Sequence, residues 1–144
     1  MPKQLQLIPL TLVFAAGLLA AQETARTPAP AGAQAYIQSP ANGATVTSPV
    51  TVRFGLRGIG VAPAGVETPN TGHHHLLIDV TDMPSFDAPL PANDNVRHFG
   101  GGQTEVELDL APGQHTLQLV LGDALHRPHN PPVMSDRITI TVTE

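Results

Sequence analysis

Seven histidines are the residues whose type and spacing could do chemistry in this chain, and all of them lie between His73 and His129. Neutral imidazole is a good ligand for zinc, copper, nickel and iron, so grouped histidines can form a transition-metal site. The chain has no cysteine, which excludes thiolate zinc sites, iron–sulfur clusters, blue-copper centres and disulfides. The candidate ligands are therefore imidazoles, with carboxylates as supporting oxygen donors.

The histidine triplet opens an apolar run that is predicted to form a strand. Because side chains alternate across a strand, His73 and His75 share one face, while His74 points to the other face at the edge of the core. Two imidazoles side by side are well placed to offer nitrogen ligands to one metal ion. For His74 the alternative is a ring that is hydrogen-bonded at the rim of the core.

The other candidate ligands lie in predicted loops. His126 and His129 are three residues apart in a Pro-rich loop, and an extended path with three residues per turn would point both rings the same way. His115 is expected at the opposite pole as a solvated residue that starts a strand. The sequence predicts five metal ligands and three supporting residues, which are His73, His75, His98, His126 and His129, supported by Asp79, Asp123 and His74.

The elements that must position these residues are short strands. Apolar and polar residues alternate in runs that Pro, Gly, Asn and Asp separate, and no stretch after residue 35 has the 3.6-residue period of a helix. The pattern predicts an all-β immunoglobulin-like Greek-key β-sandwich of about seven strands, in which six histidines meet at one pole. The predicted strands are 36–37, 50–56, 73–80, 105–110, 115–121 and 137–142, with room for an extra edge strand within 81–102.

The first 35 residues are predicted to lie outside this domain, which spans residues 36–144. Residues 1–21 combine Lys3 with an apolar run and end in two alanines, which is the plan of a secretory signal peptide; an uncleaved membrane anchor is the alternative. Residues 22–35 are rich in Ala, Pro and Thr and are predicted to form a disordered linker. Export without cysteine favours a bacterial periplasmic or secreted protein.

The charge balance argues against two classes of partner. Removal of residues 1–21 leaves six arginines, no lysine and twelve acidic residues. Nucleic acids and anionic membranes both attract basic faces, so neither is expected as a partner of the mature chain. The oligomeric state cannot be predicted from these features.

Four segments resemble the signature of the DUF4399 family, a bacterial exported domain of unknown function, over about residues 55–143. They are the string from Gly72 to Asp79 (GHHHLLID), that from His98 to Thr104 (HFGGGQT), that from Pro112 to Leu119 (PGQHTLQL), and that from Gly122 to His129 (GDALHRPH) followed by Pro131, Pro132 and Val133. The resemblance implies a small exported β-sandwich and supplies no activity. Because the family motifs carry the histidines, the resemblance favours a site at these positions.

Three functional hypotheses follow. The first is a periplasmic protein that binds copper or zinc for buffering or delivery. The second is a non-catalytic module that binds a cell-envelope partner or a glycan, in which the histidines form a structural hydrogen-bond network. The third is a metalloenzyme, which would need an open coordination position on its metal. Metal binding without catalysis is favoured, and the sequence does not choose between copper and zinc.

Overall fold

Residues 25–144 fold into nine β-strands, and the predicted all-β class is confirmed. The computed structural model describes residues 25–144, so the predicted signal peptide lies outside the described residues. Within that range no helix is long and apolar enough to cross a membrane. The strands are β1 (Gln34–Ser39), β2 (Thr45–Thr47), β3 (Val50–Arg57), β4 (Gly60–Val61), β5 (Thr71–Ile78), β6 (Val96–His98), β7 (Glu105–Leu108), β8 (Gly113–Gly122) and β9 (Ile138–Thr143).

These strands form two sheets. One sheet has three strands in the order β1-β3-β7, and the other has the order β2-β9-β8-β5-β4, with β6 also pairing with β5. The β2–β9 and β4–β5 pairs are parallel, and the remaining pairs are antiparallel. Strand β5 is therefore flanked by β8 on one side and by the short strands β4 and β6 on the other.

The principal hydrophobic core joins the two sheets. The alternating apolar residues of β3 bury Val52 and Phe54, and the larger sheet contributes Leu76, Leu119 and Ile140 to the same cluster. Burying a side chain of this size stabilises the fold by roughly 1.5–3 kcal/mol. The six-stranded sheet is thereby fixed against the three-stranded one.

A second, smaller hydrophobic cluster covers the opposite face of the six-stranded sheet. It contains Leu77, Leu90, Val96 and Val120, each at most 5% exposed. All residues of β5 after Thr71 are consequently buried. Alternation alone indicates which residues share this face, but it does not reveal that loops cover the face.

The strand count is higher than the sequence predicted. Strands β2 and β4 have three and two residues, which is too short for an alternating pattern to be recognised. Strand β6 lies within 81–102, where the sequence left room for an extra edge strand, and it pairs with β5.

Residues 25–33 differ from the linker that their composition suggested. The amide of Ala29 donates to the carbonyl of Asn130 at 3.0 Å, and the amide of Asn130 donates to the carbonyl of Thr27 at 2.9 Å. Strand β1 then begins at Gln34, before the predicted start at residue 36. Main-chain hydrogen bonds do not require particular side chains, so an Ala- and Pro-rich composition does not reveal them.

Candidate metal centre

Strand β5 divides the histidine triplet between two environments, as alternation predicts. His74 turns toward the principal core, with its ring centroid 5.0 Å from that of Phe54. His73 and His75 lie on the opposite face with centroids 4.8 Å apart. All three side chains are at most 1% exposed, so the strand buries two imidazoles side by side.

Strand β6 brings a third imidazole to this face. His98 is directly opposite His75 in the antiparallel β5–β6 register, and residues opposite each other in such a pair share a face. The His98 ring centroid lies 5.1 Å from that of His75 and 5.0 Å from that of His73. His98 is exposed at its outer side.

The loop after β8 supplies the fourth imidazole. The ring centroid of His126 lies 5.0 Å from that of His73 and 4.8 Å from that of His98. His126 has a φ of 66°, a left-handed conformation that is uncommon for a residue with a side chain and is often found at functional sites. This strained backbone directs the ring back over the start of β5.

Asp123 fixes the loop that holds His126. Its Oδ1 accepts hydrogen bonds from the amides of Leu125 at 2.9 Å and Arg127 at 3.0 Å. Its Oδ2 accepts one from Thr27 Oγ1 at 2.7 Å. Burial acts to raise the pKa of Asp123, but these hydrogen bonds outweigh it and hold the pKa below its usual value. Asp123 therefore supports the site through the loop backbone.

We call His73, His75, His98 and His126 the histidine quartet. The six distances between their ring centroids run from 4.8 to 6.1 Å. For three members, His73, His98 and His126, potential ligand nitrogens all lie within 4.8 Å of one another. Four of the five histidines predicted as ligands thus come together, from two strands and one loop.

Two glycines make room for the rings of the quartet. A Cβ added at Gly122 would lie 2.7 Å from Cε1 of His75, and one added at Gly100 would lie 2.4 Å from Cε1 of His98. Both distances are shorter than carbon atoms tolerate. Each ring therefore packs directly against main chain.

The buried ring nitrogens of this site lack hydrogen-bond partners. Nδ1 and Nε2 of both His73 and His75 are buried, and within residues 25–144 none of the four atoms has a partner at the distance and angle of a hydrogen bond. Leaving a buried polar group unpaired costs about 1–3 kcal/mol, and most such groups in proteins are paired. The hydrogen-bond network that would make these histidines structural is not formed among the described residues.

The electrostatics of the quartet keep its buried rings neutral. Burial lowers the pKa of His73 to about 4 and that of His75 to about 3, and repulsion from neighbouring imidazolium groups adds to both effects. The Asp123 carboxylate opposes the lowered pKa of His73, and the main chain of His73 opposes that of His75, without reversing either. Burial, with repulsion from His126, also lowers the pKa of His98. Neutral imidazole is the form that binds a metal ion, so at neutral pH the site has nitrogen lone pairs to donate.

His129 lies apart from the quartet. Its side chain is 1% exposed and both ring nitrogens are buried without a partner in the described part of the chain. No ring contact joins it to a quartet member among residues 25–144, and its carbonyl accepts a hydrogen bond from Arg26 Nη2. The left-handed turn at His126 replaces the extended path that would have aligned the two rings.

Asp79 was predicted to support the metal ligands, but its carboxylate contacts His115. Its Oδ2 lies 2.7 Å from Nδ1 of His115, and its Oδ1 accepts a hydrogen bond from the amide of Thr116 at 2.8 Å. Asp79 follows the last residue of β5 with a φ of 55°, so it lies beyond the opposite end of the strand from His73. His115 is thus a hydrogen-bonded residue, and the prediction that it is simply solvated was wrong.

The sequence did not predict that the segment before β1 contacts the loop that carries His126. Arg26 donates through Nε to the carbonyl of Pro128 at 3.0 Å, and Thr27 contacts Asp123 as described above. Together they tie the N-terminal segment to the loop of His126. One arginine and two threonines in an Ala- and Pro-rich stretch carry no sequence signal for this role.

The comparison with protein families agrees with the four histidine-bearing motifs. The model of a domain of unknown function, DUF4399, matches residues 52–143. The chain belongs to the DUF4399 family. The matched range contains all seven histidines, so the quartet is part of the family domain. No curated protein and no solved structure matches the chain, and function must be argued from the site.

Proposed function

We propose that this DUF4399 protein is an exported protein that binds one transition-metal ion, copper or zinc, at the histidine quartet. Its proposed role is metal buffering or delivery in the periplasm or outside the cell. The observation that carries the proposal is the convergence of four imidazoles whose buried members, His73 and His75, have no hydrogen-bond partner in the described chain. A shared metal ion would satisfy one nitrogen of each ring.

The exposure of the quartet supports exchange of the metal. His73 and His75 are fully buried, His126 is half-buried and His98 is exposed. An ion held between them would be enclosed from the side of β5 and reachable from the side of His98. The increase in exposure from His73 and His75 to His98 suits a protein that takes up an ion and passes it on. A cell-envelope protein is the proposed recipient.

The export part of the proposal rests on the signal-like residues 1–21. After removal of residues 1–21 the protein is proposed to lie outside the cytoplasm and to bind neither nucleic acid nor membrane. Two further features agree with this. The mature chain is acidic, and it has no cysteine to oxidise.

We also infer an immunoglobulin-like arrangement from the strand order. The β3–β7 pair corresponds to strands B and E, and the β5-β8-β9 series corresponds to C, F and G of that fold. In this arrangement the B–C and F–G loops share one end. The quartet would then lie at the end of the sandwich where binding loops of immunoglobulin-like domains cluster.

The test is metal binding by the untagged mature protein and by matched variants. We expect isothermal titration with Zn²⁺ and with Cu²⁺ to give about one ion per chain, and saturating metal to raise the melting temperature. His73→Ala/His75→Ala should lose this binding, while His74→Leu, on the other face of β5, should keep it. His98→Ala removes an exposed ring and tests the site without disturbing the core.

Elemental analysis of protein isolated from the periplasm without chelator should find copper or zinc. Absence of metal there, together with no heat and no thermal shift on adding either ion, would overturn the proposal. So would unchanged affinity in both the double variant and His98→Ala.

A further inference from the structure

The arrangement of the four rings identifies the coordination geometry that the quartet fits. Five of the six centroid distances lie between 4.8 and 5.1 Å, and the sixth, from His75 to His126, is 6.1 Å. Four points at the corners of a tetrahedron have six equal separations. Four points at the corners of a square have four short edges and two longer diagonals, and the diagonals share no corner.

The expected separations follow from the metal–nitrogen bond. With a bond of about 2.0–2.1 Å plus the radius of the ring, each imidazole centroid lies roughly 3.2 Å from the metal. A tetrahedron then gives about 5.2 Å for every pair, and a square plane gives about 4.5 Å for the edges and 6.4 Å for the diagonals.

The observed distances fit the tetrahedron. If His75 and His126 formed one diagonal of a square, His73 and His98 would form the other and would need the same long separation. Their centroids are only 5.0 Å apart. The rings therefore surround a central point instead of lying around it in a plane.

His75 is the member that decides between three ligands and four. The ligand nitrogens that all lie within 4.8 Å of one another come from the other three members, without His75, and a site with only those three ligands would leave one position open. The ring of His75 nevertheless contacts those of His73 and His98, both of its nitrogens are buried without a partner in residues 25–144, and Gly122 lacks the side chain that would displace it.

We propose that the quartet binds Zn²⁺ in a closed tetrahedral site with all four imidazoles as ligands. This inference rests on the metal binding proposed above and deepens it. Zn²⁺ accepts tetrahedral nitrogen sites, whereas Cu²⁺ prefers tetragonal ones. Because imidazole sites in general bind Cu²⁺ more tightly, a tetrahedral cage is the means by which this site would favour zinc.

A closed site has a functional consequence. Catalytic zinc keeps one position for water or substrate, and structural or stored zinc has four protein ligands. With four imidazoles on the ion, activation of a water molecule has no place to occur. The geometry thus favours storage and transfer over the metalloenzyme hypothesis.

The experiment is X-ray absorption at the zinc edge on the Zn²⁺-loaded mature protein, with Co²⁺ as a visible probe. We expect four nitrogen ligands at about 2.0 Å and the intense absorption bands of tetrahedral Co²⁺. His75→Ala should weaken Zn²⁺ binding at least tenfold, while the adjacent His74→Leu should leave it unchanged. The absorption measurement uses the unaltered chain, so the test does not depend on the folding of a variant.

The outcomes separate the two proposals. Failure of Zn²⁺, Co²⁺ and Cu²⁺ alike to bind would overturn metal binding and this inference together, whereas binding of Cu²⁺ alone would overturn only this inference. Bound ion with five or six ligands, or Zn²⁺ affinity that His75→Ala does not change, would overturn only the four-imidazole site. A square-planar paramagnetic resonance spectrum of the Cu²⁺-loaded protein would overturn the selectivity for zinc, because the quartet would then adapt to the geometry that Cu²⁺ prefers.

Discussion

His75 and His98 face each other across the β5–β6 pair, with ring centroids 5.1 Å apart. Strand β6 has only three residues, and it is held in register by Val96, which pairs with Leu77 and packs against Leu90. The exposed His98 is therefore positioned by buried apolar contacts next to it. Packing in the smaller hydrophobic cluster and the geometry of the quartet are linked.

Shortening a side chain of the smaller hydrophobic cluster should weaken metal binding, although no metal ligand is changed. Leu90→Ala is expected to destabilise the protein by about 2–5 kcal/mol and to lower Zn²⁺ affinity severalfold, because β6 is less firmly held. Leu108→Ala is the matched control, since Leu108 is equally buried but lies in β7 of the other sheet. Urea denaturation and calorimetric titration measure the two quantities. Equal affinities for the two variants would break the proposed link.

The close approach of Gly122 to His75 gives a second prediction. Gly122→Ala would place a methyl group 2.7 Å from Cε1 of His75 and 3.3 Å from Cα of His126. We expect at least a tenfold loss of Zn²⁺ affinity as both rings are displaced. Gly60→Ala is the control, because its Cβ would meet its neighbours at ordinary contact distances of 3.5 Å or more. Wild-type affinity for Gly122→Ala would mean that the quartet adapts to the displacement.

The sequence allowed the arrangement of β5 to be predicted because strand alternation is a local rule. It placed His73 and His75 on one face and His74 on the other, and the structure agrees. It also indicated that His98 and His126 converge on them. The separation of His129 could not be predicted, because it depends on one left-handed residue, His126. The partner of Asp79 was missed because it lies 36 residues away in the sequence.

The N-terminal segment should act as a positioning element for His126. Thr27→Val removes the hydroxyl that donates to Asp123 Oδ2 at 2.7 Å and keeps the shape of the side chain. We expect a loss of about 1 kcal/mol in stability and a severalfold fall in Zn²⁺ affinity. Thr27→Ser, which keeps the hydroxyl, should restore both. If serine fails to rescue, the effect comes from packing and the hydrogen bond is not its cause.

Replacing His129 should stabilise the protein, whereas the substitutions at Leu90 and Thr27 should destabilise it. Its two ring nitrogens are buried without partners in the described chain, so replacing the ring by an apolar side chain of similar size removes an unpaired polar group. His129→Leu should therefore raise the free energy of unfolding by about 1 kcal/mol and leave Zn²⁺ affinity unchanged. His115→Leu, which loses two hydrogen bonds, should be destabilised. A loss of metal binding in His129→Leu would show that His129 is a ligand.

His115 makes the stability of the apoprotein depend on pH. Its Nδ1 meets a carboxylate oxygen of Asp79 at 2.7 Å and its Nε2 meets the carbonyl of Ala111 at 2.8 Å. Both oxygens only accept hydrogen bonds, so both ring nitrogens must carry protons for the two bonds to form. The hydrogen bonds to Asp79 and Ala111 accordingly raise the pKa of His115 above its usual value of 6.5.

The direction in which stability changes with pH follows from the linkage between protonation and folding. Because the folded state holds the proton more tightly, the extra stability is fully present below the unfolded pKa of about 6.5 and is lost as the pH rises through the higher folded pKa. We expect His115→Gln to be more destabilising at pH 6 than at pH 9 in urea denaturation of metal-free protein. The buried histidines of the quartet are the same in both proteins, so their titration cancels in the difference. An equal difference at both pH values would mean that the ring is neutral in the folded protein and that one of its two short contacts is not a hydrogen bond.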